Sequence, residues 1–374
     1  MASFNVIGLM SGTSLDGVDL LHTLFVQDSS MNWSFSMKES ITIPYSTQWQ
    51  NRLKQAPHLS GLELSLLNVD YGHLLGIHIR DFIRGYNPKP DFAAVHGHTI
   101  FHQPEKRLTL QIGEGSAIAA ECGIPIIHEF RNKDVALGGQ GAPLVPIGDH
   151  FLFPNYDYCL NLGGIANISY KNEKQERIAF DISPCNMALN FLSRKLGYSY
   201  DAEGNFARKG IIIDSVLQDL NHLSFYKKTA PKSLGAEWYE SSFFPIINTY
   251  LSEQKHQSPE IFYNLLRTVS EHIAMQIAAI CHTSKSDLSP SKEFESTEKQ
   301  MLVTGGGAFN TFLMDRIRTL SSIHIAEHID PLIINYKEAL IFSFLGILRY
   351  TGQENCLRSV TGATIDNIGG AVYL

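Results

Sequence analysis

The segment GLMSGTSLDGVD, residues 8–19, crowds Ser11, Gly12, Thr13, Ser14, Asp16, Gly17 and Asp19 into the turn after a short apolar strand, Val6–Leu9. A phosphate chain needs backbone N–H groups aimed at it, and glycine lets the main chain approach closely. Serine and threonine hydroxyls add donors to phosphate oxygens, and a nearby carboxylate suits a magnesium ion bridging two phosphates. A hairpin turn whose Ser, Thr and Asp cap their own backbone would carry the same residue types. Two further glycine turns, Gly163-Gly164 and Gly305-Gly306-Gly307, favour the first reading, because a nucleotide needs contacts to phosphates, ribose and base. No G-x-x-x-x-G-K-[ST] motif occurs, and no dinucleotide fingerprint follows the first strand.

The elements that must position these turns repeat. Val18–Val26 and WSFSMKESITI read as a second and third strand of an antiparallel meander; residues 62–84 have helical spacing, and DFAAVHGHT reads as a buried strand. The order returns midway: YDYCLNLGGIANISYK is strand, Gly-Gly turn, strand, and ERIAFDIS supplies the third strand. Helical residues follow from Met187 to Leu196. The stretch IFYNLLRTVSEHIAMQIAAIC predicts an amphipathic helix with Ser258 as N-cap and Pro259 in its first turn. After it, HTSKSDLSPSKEFESTEKQ reads as an exposed connection, and MLVTGGGAFN as a buried strand ending in a glycine turn that opens a helix. Two facing halves of this kind would place their glycine turns on opposite walls of one cleft.

With 374 residues the chain is long enough for two cores, and 44% apolar with 18% charged residues is the balance of a globular protein. A net charge of −7 argues against nucleic-acid or anionic-membrane partners. The N-terminus lacks a basic leader before a long apolar run, and no eighteen consecutive apolar residues occur, so neither a signal peptide nor a membrane span is expected. Cys122, Cys159, Cys185, Cys281 and Cys356 form no C-x-x-C pair and read as reduced thiols of a cytoplasmic protein.

Together, IGLMSGTSLDGVD, RNKDVALGGQGAPLVP, LNLGGIANIS, PKSLGAEWY, VTGGGAFN and SVTGAT make the chain resemble the anhydro-N-acetylmuramic acid kinases, over nearly its whole length and in the family's order. The resemblance implies an α/β protein of two ribonuclease-H-like domains, the actin-like ATPase fold, flanking an ATP cleft. Domain I would comprise residues 1–131 plus about 350–374, and domain II residues 132–349. It also implies an enzyme that opens the 1,6-anhydro bridge of its amino sugar with water and phosphorylates O6 from magnesium-ATP in cell-wall recycling. The implied assembly is a homodimer.

Carried onto this sequence, the resemblance gives the first ATP turn as Gly12, Thr13, Ser14, Leu15, Asp16, Gly17, Val18 and Asp19, with Asp16 the magnesium anchor. Asn161, Gly163 and Gly164 match the second phosphate turn, and Gly305, Gly306, Gly307 and Asn310 would lie under adenosine. Asp181 is the expected general base. The family's usual D-T-G-P-G-N is DISPCN here, so Asp181, Pro184 and Asn186 are kept while both glycines are lost. A helix N-cap is the plainer role for Asp181. On the sugar side stand His96, Thr99, Arg131 and Asp134; Arg131 offers two parallel donors to a substrate carboxylate, or else makes a surface ion pair. His96, His98 and His102 alternate on one expected strand without further metal ligands near them, so local hydrogen bonds suit them better than a metal. Gln usually stands at His98 in the family. Glu338, near a helix start, would orient Asp181 or the sugar, or merely favour the helix terminus.

Two other readings remain at this level. One is a kinase of another anhydro sugar such as levoglucosan. The other is a non-catalytic actin-like ATP-binding protein, including a kinase fold that lost catalysis through the altered DISPCN segment.

Overall fold

The computed structural model describes residues 2–12, 15–230, 232–254, 256, 258–286, 299–321 and 323–374. Thr13 and Ser14, and most of the polar connection after the long helix, lie outside the described residues. The chain forms two compact units: residues 1–154 with 336–374, and residues 155–335.

In the first unit the meander is β1 (Ala2–Ser11), β2 (Gly17–Gln27) and β3 (Trp33–Pro44), paired antiparallel. The parallel strands β4 (Phe92–Val95) and β7 (Ile126–His128) continue the sheet beyond β1, and the C-terminal strand Ala371–Tyr373 closes it antiparallel to β7. Between β4 and β7 the chain makes a separate hairpin, β5 (His98–Gln103) with β6 (Leu108–Ile112). All four residues of β4 are buried, as expected of a strand covered on both faces. The Gly61–Tyr86 helix begins at a capping box of Ser60 and Glu63 and ends at Asn87, whose φ of 53° lets it close the last turn.

The second unit repeats that order. β8 (Tyr158–Leu162), β9 (Ile165–Lys171) and β10 (Arg177–Pro184) form its antiparallel meander. β11 (Gln300–Thr304) and β12 (His324–Ile325) extend it in parallel from β8. A three-strand meander whose first strand is followed by parallel strands is the ribonuclease-H sheet order, here present twice. The helix Pro259–Ser286 fills this core through Leu265, Leu266, Val269, Ile273 and Ile277, each fully buried.

The seams differ from the expected ones. Residues 132–153 stay with the first unit because Asp134 bonds Thr361 and Asn367, and the Phe153 ring meets Phe35 at 5.6 Å. The chain returns to the first unit at Tyr336, where the Pro331–Tyr350 helix has a kink with φ −118°. After that kink Phe344 packs on Phe25 and Trp33, and the Lys337 ammonium pairs with buried Asp149 at 2.7 Å. This helix is long and apolar enough to cross a membrane by length and composition, but residues 339–348 are buried within the protein core.

Candidate active site

The first turn is only partly the open phosphate loop that its residue types suggest. The Ser11 hydroxyl is buried and bonded to Tyr45 (2.7 Å), Tyr71 (2.9 Å) and His98 (3.1 Å), so it anchors the turn inward. Leu15, at φ 61°, packs its side chain on the core while its carbonyl accepts from Gln50. Val18 is fully buried, so within the expected set these two can offer a ligand only backbone. Gly17 is required by close approach: a Cβ there would run into the Ile43 carbonyl across the sheet. Gly12 is half-buried at the end of β1.

Asp16 is exposed on this turn. Asp19 accepts a 2.6 Å hydrogen bond from Thr42. Burial raises the Asp19 carboxyl above its ordinary value; the Thr42 bond opposes this and the negative charge of Asp16 adds to it. Two carboxylates that repel each other at one turn suit a divalent cation, which would relieve that repulsion.

Arg131 is held by three hydrogen bonds. Its Nε and Nη2 both donate to His96 Nε2, at 3.1 and 2.9 Å, and Nη1 donates to the Gly141 carbonyl at 2.7 Å. His96 Nδ1 bonds the Gly97 carbonyl and must carry its proton, so Nε2 is the acceptor. Burial and then the Arg131 charge hold His96 well below its usual value, which keeps it neutral. One N–H then remains on each of Nη1 and Nη2 for a further acceptor. Burial lowers Arg131 to about 10, against the pull of Glu338, so it stays charged. Glu338, just past the Tyr336 kink, keeps solvent access although densely surrounded. That dense packing pushes its carboxyl up, against Arg131 and with Asp19.

Other sugar-side expectations need correction. His96 lies off the strand, because Gly97 at φ 76° breaks β4 from β5; a Cβ there would sit 2.6 Å from His128 Nε2. His98 faces Ser11 and His102 bonds Thr109, so the three imidazoles are satisfied separately. Thr99 is half-buried and receives Gln111 Nε2 at 3.4 Å. Asp134 is fully buried: Oδ1 takes Thr361 and Asn367 (2.8 and 2.9 Å) and Oδ2 takes the Gly141 N–H (2.8 Å). Its acceptors are spent on the loop that holds Arg131, which leaves it no ligand contact.

In the second unit the glycine turns adjoin. The Gly163 and Gly164 carbonyls accept the N–H groups of Cys185, Asn186 and Met187 and so cap the Asn186–Lys195 helix. At Gly305, φ 82°, a Cβ would lie 2.6 Å from Asn161 Oδ1, and one at Gly307 would lie 2.6 Å from Leu162. Asn161 therefore packs against the third turn. Beside Gly306 and Gly307 opens a cavity of about 400 Å³, within the range of small-molecule sites, roughly 300–1,000 Å³. The exposed rings of Tyr200 and Phe309 line it together with Asn186 and Glu203. Asn310 lines it too, but its Oδ1 accepts from Leu313 N as the N-cap of the Thr311–Ser321 helix. Sequence spacing gave no sign of Tyr200, Glu203 or Phe309; the left-handed φ of Glu203 (56°) is visible only in the fold.

Asp181 is not a helix cap; Cys185 takes that position. It sits on β10 where the register against β9 slips between Asp181 and Ser183, leaving Ile182 as the extra residue of a bulge. Its Oδ2 accepts one hydrogen bond, from Leu234 N at 2.8 Å. Burial raises its carboxyl to about 6 and that single bond opposes the shift. A carboxylate tuned toward neutrality accepts protons more readily at working pH than an ordinary aspartate.

The doubled ribonuclease-H order and paired glycine turns place the chain in the class of two-unit sugar kinases and actin-like ATPases. Within that class it belongs to the anhydro-N-acetylmuramic acid kinase family, whose pattern it matches over residues 4–374. It is 31% identical to the anhydro-N-acetylmuramic acid kinase of Bacillus cereus, covering 96% of this chain and 94% of that one. It is 32% identical to the Haemophilus influenzae protein of the same name, over 98% and 97% of the two chains. For the Aliivibrio fischeri relative the figures are 31% and 98% of each.

Proposed function

We propose that this protein is an ATP-dependent kinase that opens the anhydro ring of 1,6-anhydro-N-acetylmuramic acid with water and phosphorylates the freed O6. Family membership over residues 4–374 supports the reaction class. The raised carboxyl of Asp181, held by a single N–H, supports its part in the mechanism. Asp181 takes a proton from water as the water oxygen bonds to C1. The C1–O6 bond breaks, O6 bonds to the γ-phosphorus, and ADP leaves. The products are N-acetylmuramic acid 6-phosphate, ADP and a proton.

The remaining roles follow from chemistry. The two open N–H groups of Arg131 receive the lactyl carboxylate, with Glu338 and Thr99 as sugar contacts and His96 locking the guanidinium. The backbone of Gly12–Asp19 and of Gly163-Gly164 donates to phosphates, and adenosine occupies the cavity beside Gly306 and Gly307, its base against Phe309 and Tyr200. Asp16, with Asp19 nearby, would hold magnesium, which neutralises phosphate charge during transfer. No disulfide joins Cys122, Cys159, Cys185, Cys281 or Cys356, which is compatible with a cytoplasmic enzyme, and the assembly is proposed to be a homodimer.

The test is coupled ADP release with magnesium-ATP and, separately, 1,6-anhydro-N-acetylmuramic acid, N-acetylmuramic acid and levoglucosan. Release with the first alone, giving a 6-phosphate, is the expected result. Release with levoglucosan alone would overturn the substrate, and release with none would overturn the kinase reading.

A further inference from the structure

The DISPCN segment, residues 181–186, contains no glycine, and it is tied down on both sides. Ile182, the extra residue of the bulge, is buried in the core of the second unit. Ser183 is fully buried beside it, and its hydroxyl lies 3.1 Å from the Pro184 carbonyl and 3.3 Å from the Tyr226 hydroxyl. Tyr226 is bonded at 2.8 Å to Nε2 of His272, a fully buried histidine in the middle of the Pro259–Ser286 helix. His272 Nδ1 meets Asn221 Oδ1 at 2.7 Å, and the same oxygen receives Gln276 Nε2 at 2.9 Å.

The direction of this chain follows from its end. Asn221 Oδ1 can only accept, so His272 carries its proton on Nδ1 and accepts at Nε2. Tyr226 must donate to that nitrogen, so its oxygen can only accept, and the single Ser183 hydrogen is shared between the nearer Pro184 carbonyl and the Tyr226 oxygen. Burial drives His272 down to about 3, so it stays neutral and the polarity holds at every working pH. A glycine at 183 would have no group to complete the chain and would leave the Tyr226 oxygen facing the bulge without that donor. On the other side, the bulge is fixed by Asp181 N–H donating to the Lys232 carbonyl and by Leu234 N–H donating to the Asp181 carboxylate.

We propose that Ser183, through Tyr226, His272 and Asn221, is a positioning residue that fixes the β10 bulge from which Asp181 presents its carboxylate. The proposal rests on the reading of Asp181 as general base. Ser183 acts through the backbone and touches neither substrate nor the reacting atoms.

The test compares the full-length parent with Ser183→Gly, Tyr226→Phe and the double variant. Turnover with magnesium-ATP and the anhydro sugar should fall about tenfold in each single variant, with KM for ATP unchanged. The double variant should be no worse than the worse single one, as for one connected chain. Carboxyl ¹³C NMR of Asp181 provides a readout independent of activity: its midpoint should drop by at least half a pH unit toward the ordinary aspartate value as the bulge loosens. An unchanged midpoint together with parent-like turnover in both single variants would overturn the proposal. Should Ser183→Gly fail to fold, Tyr226→Phe decides alone. Parent-like turnover in Asp181→Asn would instead overturn the base reading, and the NMR midpoint would still decide the positioning role.

Discussion

Asp134 and Asp181 are both enclosed aspartates on segments that the sequence marks for chemistry, but their surroundings differ. Asp134 accepts three hydrogen bonds, from Thr361, Asn367 and the Gly141 N–H, and is fully buried. Asp181 accepts one, from Leu234, keeps some solvent access, and is raised to about 6 by burial. A carboxylate whose lone pairs are spent organises a loop. One that is desolvated and left under-bonded is poised to take a proton. Asp134 thus has the surroundings of a structural acid, and Asp181 those of the general base proposed for it.

The largest expected effect comes from the reactive partner. Asp181→Asn should cut turnover by roughly 10²–10⁴-fold, the usual worth of a positioned base, while ATP affinity measured by calorimetry stays within about twofold. Turnover within tenfold of the parent would mean that Asp181 is not the base. Asp134→Ala should act on stability instead. Leaving three buried donors unpaired should cost roughly 2–4 kcal/mol in urea denaturation; a loss under about 0.5 kcal/mol would show that the loop does not depend on it.

The smallest effect sharpens the contrast through pH. The folded pKa of Asp181 lies above its unfolded value, so its contribution to stability is fully present below about 4 and is lost as pH rises through about 6. The ionised group therefore strains the fold at neutral pH. Asp181→Asn should raise Tm slightly at pH 8, and that gain should vanish toward pH 4 in scanning fluorimetry. A gain that is equal at both pH values would mean the side chain, not its charge, is responsible.

Much of the fold was legible. Both meanders, the buried fourth strands and the long helices were found from period and turn residues, since these depend on nearest neighbours along the chain. The glycines at 17, 305 and 307 read in the sequence as turns where the main chain approaches a phosphate; their close contacts with Ile43, Asn161 and Leu162 come from the tertiary packing and were not legible. The inward pull on Ser11 needed Tyr45, Tyr71 and His98, which arrive from three separate elements. The expected histidine strand failed at Gly97, whose left-handed backbone ends β4 before His98 begins β5.

By itself, then, the sequence determined the repeated order of elements, the glycine turns, the acids available at each turn and, by resemblance, the family. Those are properties of residue type and short spacing. Only the tertiary structure decided which acid is spent and which is poised, why Arg131 keeps a free pair of donors, and where the units divide. Each of those turns on partners far away in the chain: Thr361 lies 227 residues from Asp134, and Leu234 lies 53 from Asp181. Desolvation and hydrogen-bond saturation are sums over everything packed around a group, and no window of sequence contains them.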